Sequence, residues 1–212
     1  MKLYKIWMVI AIFIICILSF FSHSNIYQII ASVAGVIYVI GIAKENKFSI
    51  FFGIINAAIY GAIMFLDKIY GTAIYDIFYC IPVMIYTFFT WGNKTKKVEI
   101  STYSNKDRCK LIISSLGLVL IYYIISTKLG VNYAIADAFM IVLGAFGMYI
   151  TSKKKVEQWY FFIATNISNI ILWIIKCNES ISNIPLLVMW FVYLINNCYG
   201  LYTWNKKLKE KK

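Results

Sequence analysis

Eight apolar stretches, at about 6–21, 26–43, 48–67, 71–91, 109–127, 132–151, 156–176 and 183–204, occupy most of this 212-residue chain. Each is close to the ~20 residues that an α-helix needs to cross about 30 Å of hydrocarbon. Inside lipid every backbone polar group must be paired within the protein, which leaves helices or closed barrels. The stretches lack the in-out alternation of barrel strands, so helices are expected. Composition agrees: 61% of residues are hydrophobic and 14% charged, with a mean hydropathy of +0.74, far from the balance of a soluble domain. The chain reads as an all-α integral membrane protein.

Charge distribution tests the number of spans, because Lys and Arg should collect on every second connection. Lys2 and Lys5, Lys44 and Lys47, six basic residues between 94 and 110, Lys153 to Lys155, and five after Trp204 make 18 on one side. The other side holds Lys68, Lys128 and Lys176, and 18 plus 3 accounts for all 21 basic residues. Eight helices with both termini cytoplasmic are therefore expected. The net charge of +12 then reflects membrane orientation and attraction to anionic lipid rather than a nucleic-acid partner.

The first span has a second reading, since Lys2, Lys5, an apolar run and "SHSN" also fit a signal peptide; cleavage would leave the rest of the topology unchanged. Cys16, Cys80, Cys109, Cys177 and Cys198 are scattered without CxxC or Cys/His spacing, and read as small apolar fillers. No metal or cofactor is expected. A membrane enzyme would need clustered catalytic groups, and the sole histidine, His23, falls in a short connection; no catalytic residue is assigned.

Sliding the chain by 113 residues lays 44–91 on 157–204 without a gap. Phe48 then pairs with Phe161, Ile54 with Ile167, Asn56 with Asn169, Tyr86 with Tyr199, and Thr90-Trp91 with Thr203-Trp204. The expected architecture is two parallel three-helix repeats, 26–91 and 132–204, joined by an inverting helix within the linker 92–131. That 3+1+3 core carries an extra N-terminal helix within 1–25 and a basic tail at 205–212. Parallel repeats of this kind place a substrate site near the midplane between the halves.

Polar residues inside the spans fall on definite faces. Trp159, Phe162, Asn166, Asn169 and Trp173 recur at helical spacing and form one stripe on the seventh helix. Asn56 and Tyr60 share a face of the third helix; Asp76, Tyr79 and Tyr86 share one on the fourth; Trp190, Tyr193 and Asn197 share one on the eighth. Asp76 and Asp137, near the outer ends of their helices, are the only acidic residues more than two positions inside a span, and such carboxylates usually face a cavity or a partner. Trp91 and Trp204 are expected to be interface anchors.

The segments "FFGIINAAIYGAIMFLDKIYG", "YDIFYCIPVMIYTFFTW", "ADAFMIVLGAFGMYITSKKKVEQWYFFIATNISNIILW" and the closing "YGLYTW" resemble the PnuC family of nicotinamide riboside transporters over residues 26–204. The resemblance implies a SWEET-like fold in a bacterial inner membrane and facilitated diffusion of a vitamin precursor. Phe162 stands where that family would carry a second Trp, and Met148 where a polar residue such as Gln is common. Thiamine or another vitamin on the same scaffold, and a scaffold subunit without a ligand, remain as alternatives. Neither first helix of a repeat holds a proline, so hinges would fall to glycines such as Gly35, Gly41, Gly144 and Gly147, or to Pro82. The riboside joins a flat cationic pyridinium, a carboxamide and a ribose, which suits aromatic faces and amides. The expected substrate-binding set is Asn56, Tyr60, Asp76, Tyr79, Asp137, Trp159, Asn166, Asn169, Trp173 and Asn197. The expected mechanism is rocking of the two repeats about a central site with no coupled ion. Lipid and the small-molecule substrate are the expected partners, and a homo-oligomer is left open.

Overall fold

The computed structural model describes residues 2–43, 46–90 and 100–210. Lys44, Trp91 and Lys94, Lys96 and Lys97, which enter the charge and anchor arguments, lie outside the described residues. The described residues are almost entirely helical: α1 (Lys2–Phe21), α2 (Ile26–Ala43), α3 (Ser49–Leu66), α4 (Tyr70–Tyr75), a π-helical segment (Asp76–Cys80), α5 (Ile81–Thr90), α6 (Asn105–Lys128), α7 (Ala134–Ser152), α8 (Gln158–Glu179) and α9 (Ile184–Lys209). Among them, six helices are long and apolar enough to cross a membrane, counting Tyr70–Phe89 as one rod. The apolar segments Ile6–Phe21 and Ile26–Ile42 are shorter. The clearest departure from the expected bounds is α9, which continues past Trp204 to Lys209.

Local chemistry explains several helix ends. Ser104 caps α6 by accepting the Asp107 N–H at 3.2 Å while its hydroxyl donates to the Asp107 carboxylate at 2.7 Å. Pro185 sits in the first turn of α9, where its missing N–H costs nothing. The π segment has its cause in Pro82. A proline cannot bond the carbonyl four residues back and its ring collides with it. That carbonyl belongs to Phe78, within Asp76–Cys80, and the wider π turn gives it room.

Helix neighbours close into a ring. α2 packs on α3, α3 on the α4–α5 rod, α4 on α7, α7 on α8, α8 on α9, and α9 back on α2. In this order α3 and α8 stand opposite each other. α1 lies outside the ring against α2 and α9, and α6 lies outside it against α7. The fully buried residues Met64, Leu172, Trp173, Leu186 and Met189 belong to one core cluster toward the end away from Lys153–Lys155. That basic end is braced by Arg108, whose Nε donates to Glu157 Oε1 at 2.8 Å, and by the Tyr103 N–H, which donates to the same oxygen at 3.0 Å.

Candidate functional site

A cavity occupies the middle of the ring, with walls from α2, α3, the α4–α5 rod, α7, α8 and α9. From the expected set, Asn56, Asp76, Trp159, Asn166 and Asn197 line it. Among the described residues, six buried side-chain N or O atoms have no hydrogen-bond partner, and four of them belong to cavity-lining residues: Asp76 Oδ2, Trp159 Nε1, Asn166 Nδ2 and Trp190 Nε1. Buried polar groups are nearly always paired, so unpaired atoms on several residues around one space mark it as a place for a polar ligand.

Two local features mark the wall. The α4–α5 rod turns π-helical from Asp76 onward, and Asp76 stands in the cavity wall. Gly200 on α9 makes room for Trp159: a Cβ there would lie 2.5–2.7 Å from the indole ring. Trp204, expected as an interface anchor, is instead buried at 2% exposure and packs edge-on against Trp159, with ring centroids 5.3 Å apart. It supports the cavity wall from behind.

The stripe on α8 divides. Trp159, Phe162 and Asn166 face the cavity, whereas Asn169 and Trp173 are engaged with protein. Trp173 Nε1 donates to the Tyr60 hydroxyl oxygen at 2.9 Å, and Tyr60 donates to Asn169 Oδ1 at 3.1 Å. Asn169 Nδ2 donates in turn to the Thr165 carbonyl at 2.9 Å. The three side chains form a buried layer that closes the cavity at the end away from the basic loops. Trp190 touches both regions: it lines the cavity and packs edge-on to Tyr60 with centroids 5.8 Å apart.

The remaining expected residues hold the wall in place. Asp137 is fully buried and lies outside the cavity lining. Its Oδ1 accepts the Thr72 N–H at 2.9 Å and the Thr72 hydroxyl at 2.6 Å, and its Oδ2 accepts the Tyr122 hydroxyl at 2.9 Å. One carboxylate thereby joins α4, α6 and α7. Tyr79 stacks on the cavity-lining Tyr75 at 5.5 Å and donates to the Ala145 carbonyl at 3.2 Å. Asn56 has a double role: it lines the cavity, donates to the Ala31 carbonyl at 2.9 Å and accepts from the Tyr193 hydroxyl at 3.3 Å.

Tyr38, Tyr75, Cys80, Gln158, Trp190 and Tyr193 also line the cavity and were not in the expected set. Trp190 and Tyr193 share a face of α9 with Asn197, a signal present in the sequence. Cys80, read as an apolar filler, is a wall residue. Its position one turn from Asp76 was the available clue.

A ring of membrane-spanning helices around a cavity of unpaired polar groups defines a multi-pass membrane transporter for a small polar solute. The chain belongs to the family described as nicotinamide mononucleotide transporters, whose model matches residues 25–206. Transport, not catalysis, is the business of that family. Among curated relatives, the nicotinamide riboside transporter PnuC of Neisseria mucosa is 22% identical over 97% of this chain and 81% of its own length. That of Haemophilus influenzae is 22% identical over 85% of this chain and 80% of its own length. A crystal structure of the vitamin B3 transporter PnuC superposes with a TM-score of 0.84, covering 100% of this chain and 94% of that one at 22% identity. That match carries the fold.

Proposed function

We propose that this chain carries nicotinamide riboside across a bacterial membrane by facilitated diffusion, binding it in the central cavity. The observation that carries the reading is the chemistry of the wall. It offers orphaned indole and amide N–H groups, aromatic faces and one carboxylate, Asp76, with no lysine, arginine or histidine among the lining residues. The riboside carries one positive charge on a flat pyridinium, and a carboxylate with aromatic rings suits such a cation. The mononucleotide of the family description adds a phosphate, which wants arginine, lysine or a helix N-terminus. Desolvating that phosphate beside Asp76 is unfavourable. The wall favours the riboside.

Asn166, Asn197 and Asn56 are assigned to the carboxamide and ribose, Trp159 to stacking, and Asp76 to the cation. Tyr60, Asn169 and Trp173 close the cavity, while Tyr79 and Asp137 hold its wall. Eight spans arranged as two parallel three-helix units, 26–91 and 132–204, support rocking about this site. Helix α6 is the inverting connector and α1 the addition. Both termini are cytoplasmic by the distribution of basic residues.

Titration calorimetry on purified protein tests the reading with the riboside, the mononucleotide and thiamine as ligands. Saturable heat with the riboside and none with the mononucleotide is expected. Preference for thiamine would keep fold and mechanism and change the substrate. Binding of none of the three would overturn the assignment.

A further inference from the structure

Beyond the Tyr60–Trp173 layer, toward the end away from the basic loops, lies a charged group the cavity does not use. Lys176, one turn past Trp173 on α8, is only 7% exposed. Its Nζ is 3.0 Å from Asp67 Oδ2 and 3.9 Å from Glu179 Oε2. The ammonium also sits 5.8 Å from the Trp173 ring centroid and 5.9 Å from that of Tyr133. The surrounding backbone is tied in: Asn132 Nδ2 donates to the Asp67 carbonyl at 3.2 Å, and Asn183 Nδ2 to the Lys176 carbonyl at 2.9 Å. A lysine so buried is tolerated only with its charge paired.

The position of this pair gives it a meaning beyond packing. Asp67 is the C-cap residue of α3, and α3 faces α8 across the ring instead of adjoining it. The Asp67–Lys176 contact therefore spans the central passage, as the Tyr60–Trp173 bond does one layer deeper. A solute moving between the cavity and this face must pass between α3 and α8. Both contacts have to part for that to happen. Asp67 keeps 29% of its side chain exposed, so water can take over the charges as they separate.

We infer that Asp67 and Lys176 form an ionic latch that, with the Tyr60–Trp173 layer beneath it, holds the cavity shut at the end away from the basic loops. Rupture of the latch admits solute from that side. The inference rests on reading the cavity as the transport site. Because the latch exists only in the closed arrangement, weakening it shifts the population toward the open one. Glu179 lies on α8 with Lys176 and does not bridge the passage, but the neutral amide of Asp67→Asn can still accept a hydrogen bond from the ammonium, so Asp67→Asn weakens the latch less than Lys176→Met.

Cys80 in the cavity wall is a native reporter of access. The test uses the full chain with Cys16, Cys109, Cys177 and Cys198 replaced by Ser, in sealed vesicles. A membrane-impermeant thiol reagent is added on the face carrying Lys176, which a separate Lys128→Cys variant identifies. Labelling of Cys80 is expected to rise at least roughly threefold in Lys176→Met, to rise by less in Asp67→Asn, and to stay near the parent rate in Lys176→Arg. Should Lys176→Met not insert, Asp67→Ala, which leaves nothing on the α3 side to meet the ammonium, reads the same quantity. Rates unchanged by neutralisation overturn the latch. Added riboside should slow labelling in every variant; a failure to do so overturns the transport-site reading, while the latch still stands or falls on the rates.

Discussion

Tyr60 and Trp173 lie 113 positions apart and are hydrogen-bonded to each other, the indole N–H donating to the phenol oxygen at 2.9 Å. The same offset of 113 superposes residues 44–91 on 157–204. The two residues come from α3 and α8, which face each other across the ring, and the pair is buried at 4% and 0% exposure.

Tyr60→Phe removes an acceptor from Trp173 and a donor from Asn169 and leaves both groups buried. A loss of about 1–3 kcal/mol in stability is expected, from the cost of unpaired buried groups. Since Tyr60 is not part of the cavity lining, riboside affinity should change by less than roughly threefold. A fluorescence thermal-shift assay paired with calorimetry checks both halves.

Asn166→Leu addresses the cavity itself. Asn166 is 2% exposed and its Nδ2 has no partner in the protein, so the substitution costs the fold little and removes a donor from the ligand. Affinity for the riboside should fall by about 10- to 100-fold, the equivalent of about 1–3 kcal/mol for one buried hydrogen bond. A melting temperature within a degree or two of the parent's, measured alongside, separates lost binding from lost structure.

Much of this is legible in the residues alone. Span length and the spacing of lysines carry the membrane reading, and the helical period puts Trp159, Asn166 and Trp173 on one face. Helical period cannot say what each part of a stripe meets. Tyr60 arrives from another helix, 109 positions before Asn169, and it alone turns the lower half of the stripe from ligand-facing to protein-facing. Residue spacing puts Asp76 near the outer end of its helix, and only the packing shows that it lines the cavity; the clash of Pro82 with the Phe78 carbonyl, readable in principle, accounts for the π turn that begins at Asp76. Trp204 read as an interface anchor because its end-of-span position is the usual one for that role. Only the packing reveals its contact with Trp159.

Asp137→Ala should act on stability and not on binding. Its carboxylate accepts three hydrogen bonds from Thr72 and Tyr122 across α4, α6 and α7, and hydrogen bonds to charged groups contribute about 1.5–3 kcal/mol each. The variant is expected to melt several degrees lower and to accumulate poorly in the membrane. Protein that does fold should bind the riboside within about twofold of the parent, since the carboxylate does not line the cavity. Size-exclusion profiles and calorimetry on the recovered fraction check this.

Gly200→Ala tests the support behind the wall. An added Cβ would stand 2.5–2.7 Å from the Trp159 ring, closer than any real contact, so the indole must move. Trp204 blocks retreat on one side by its edge-on packing, which leaves displacement into the cavity. Riboside affinity should drop by about tenfold or more, while overpacking costs about 1–3 kcal/mol of stability. A shift in tryptophan emission in the free protein would report the displaced ring.

Asp76→Asn distinguishes the riboside from its phosphorylated form by charge alone. Asp76 is the one charged group among the lining residues, and its Oδ2 is unpartnered. Replacing it by the near-isosteric amide removes attraction for the pyridinium and repulsion of the phosphate together. Riboside affinity should weaken by about tenfold, the equivalent of about 1.4 kcal/mol for the loss of a partly desolvated pair of opposite charges. Mononucleotide binding should stay the same or strengthen, so the ratio of the two constants moves further than either alone. If both constants fall in parallel, Asp76 shapes the wall and does not read the charge of the ligand.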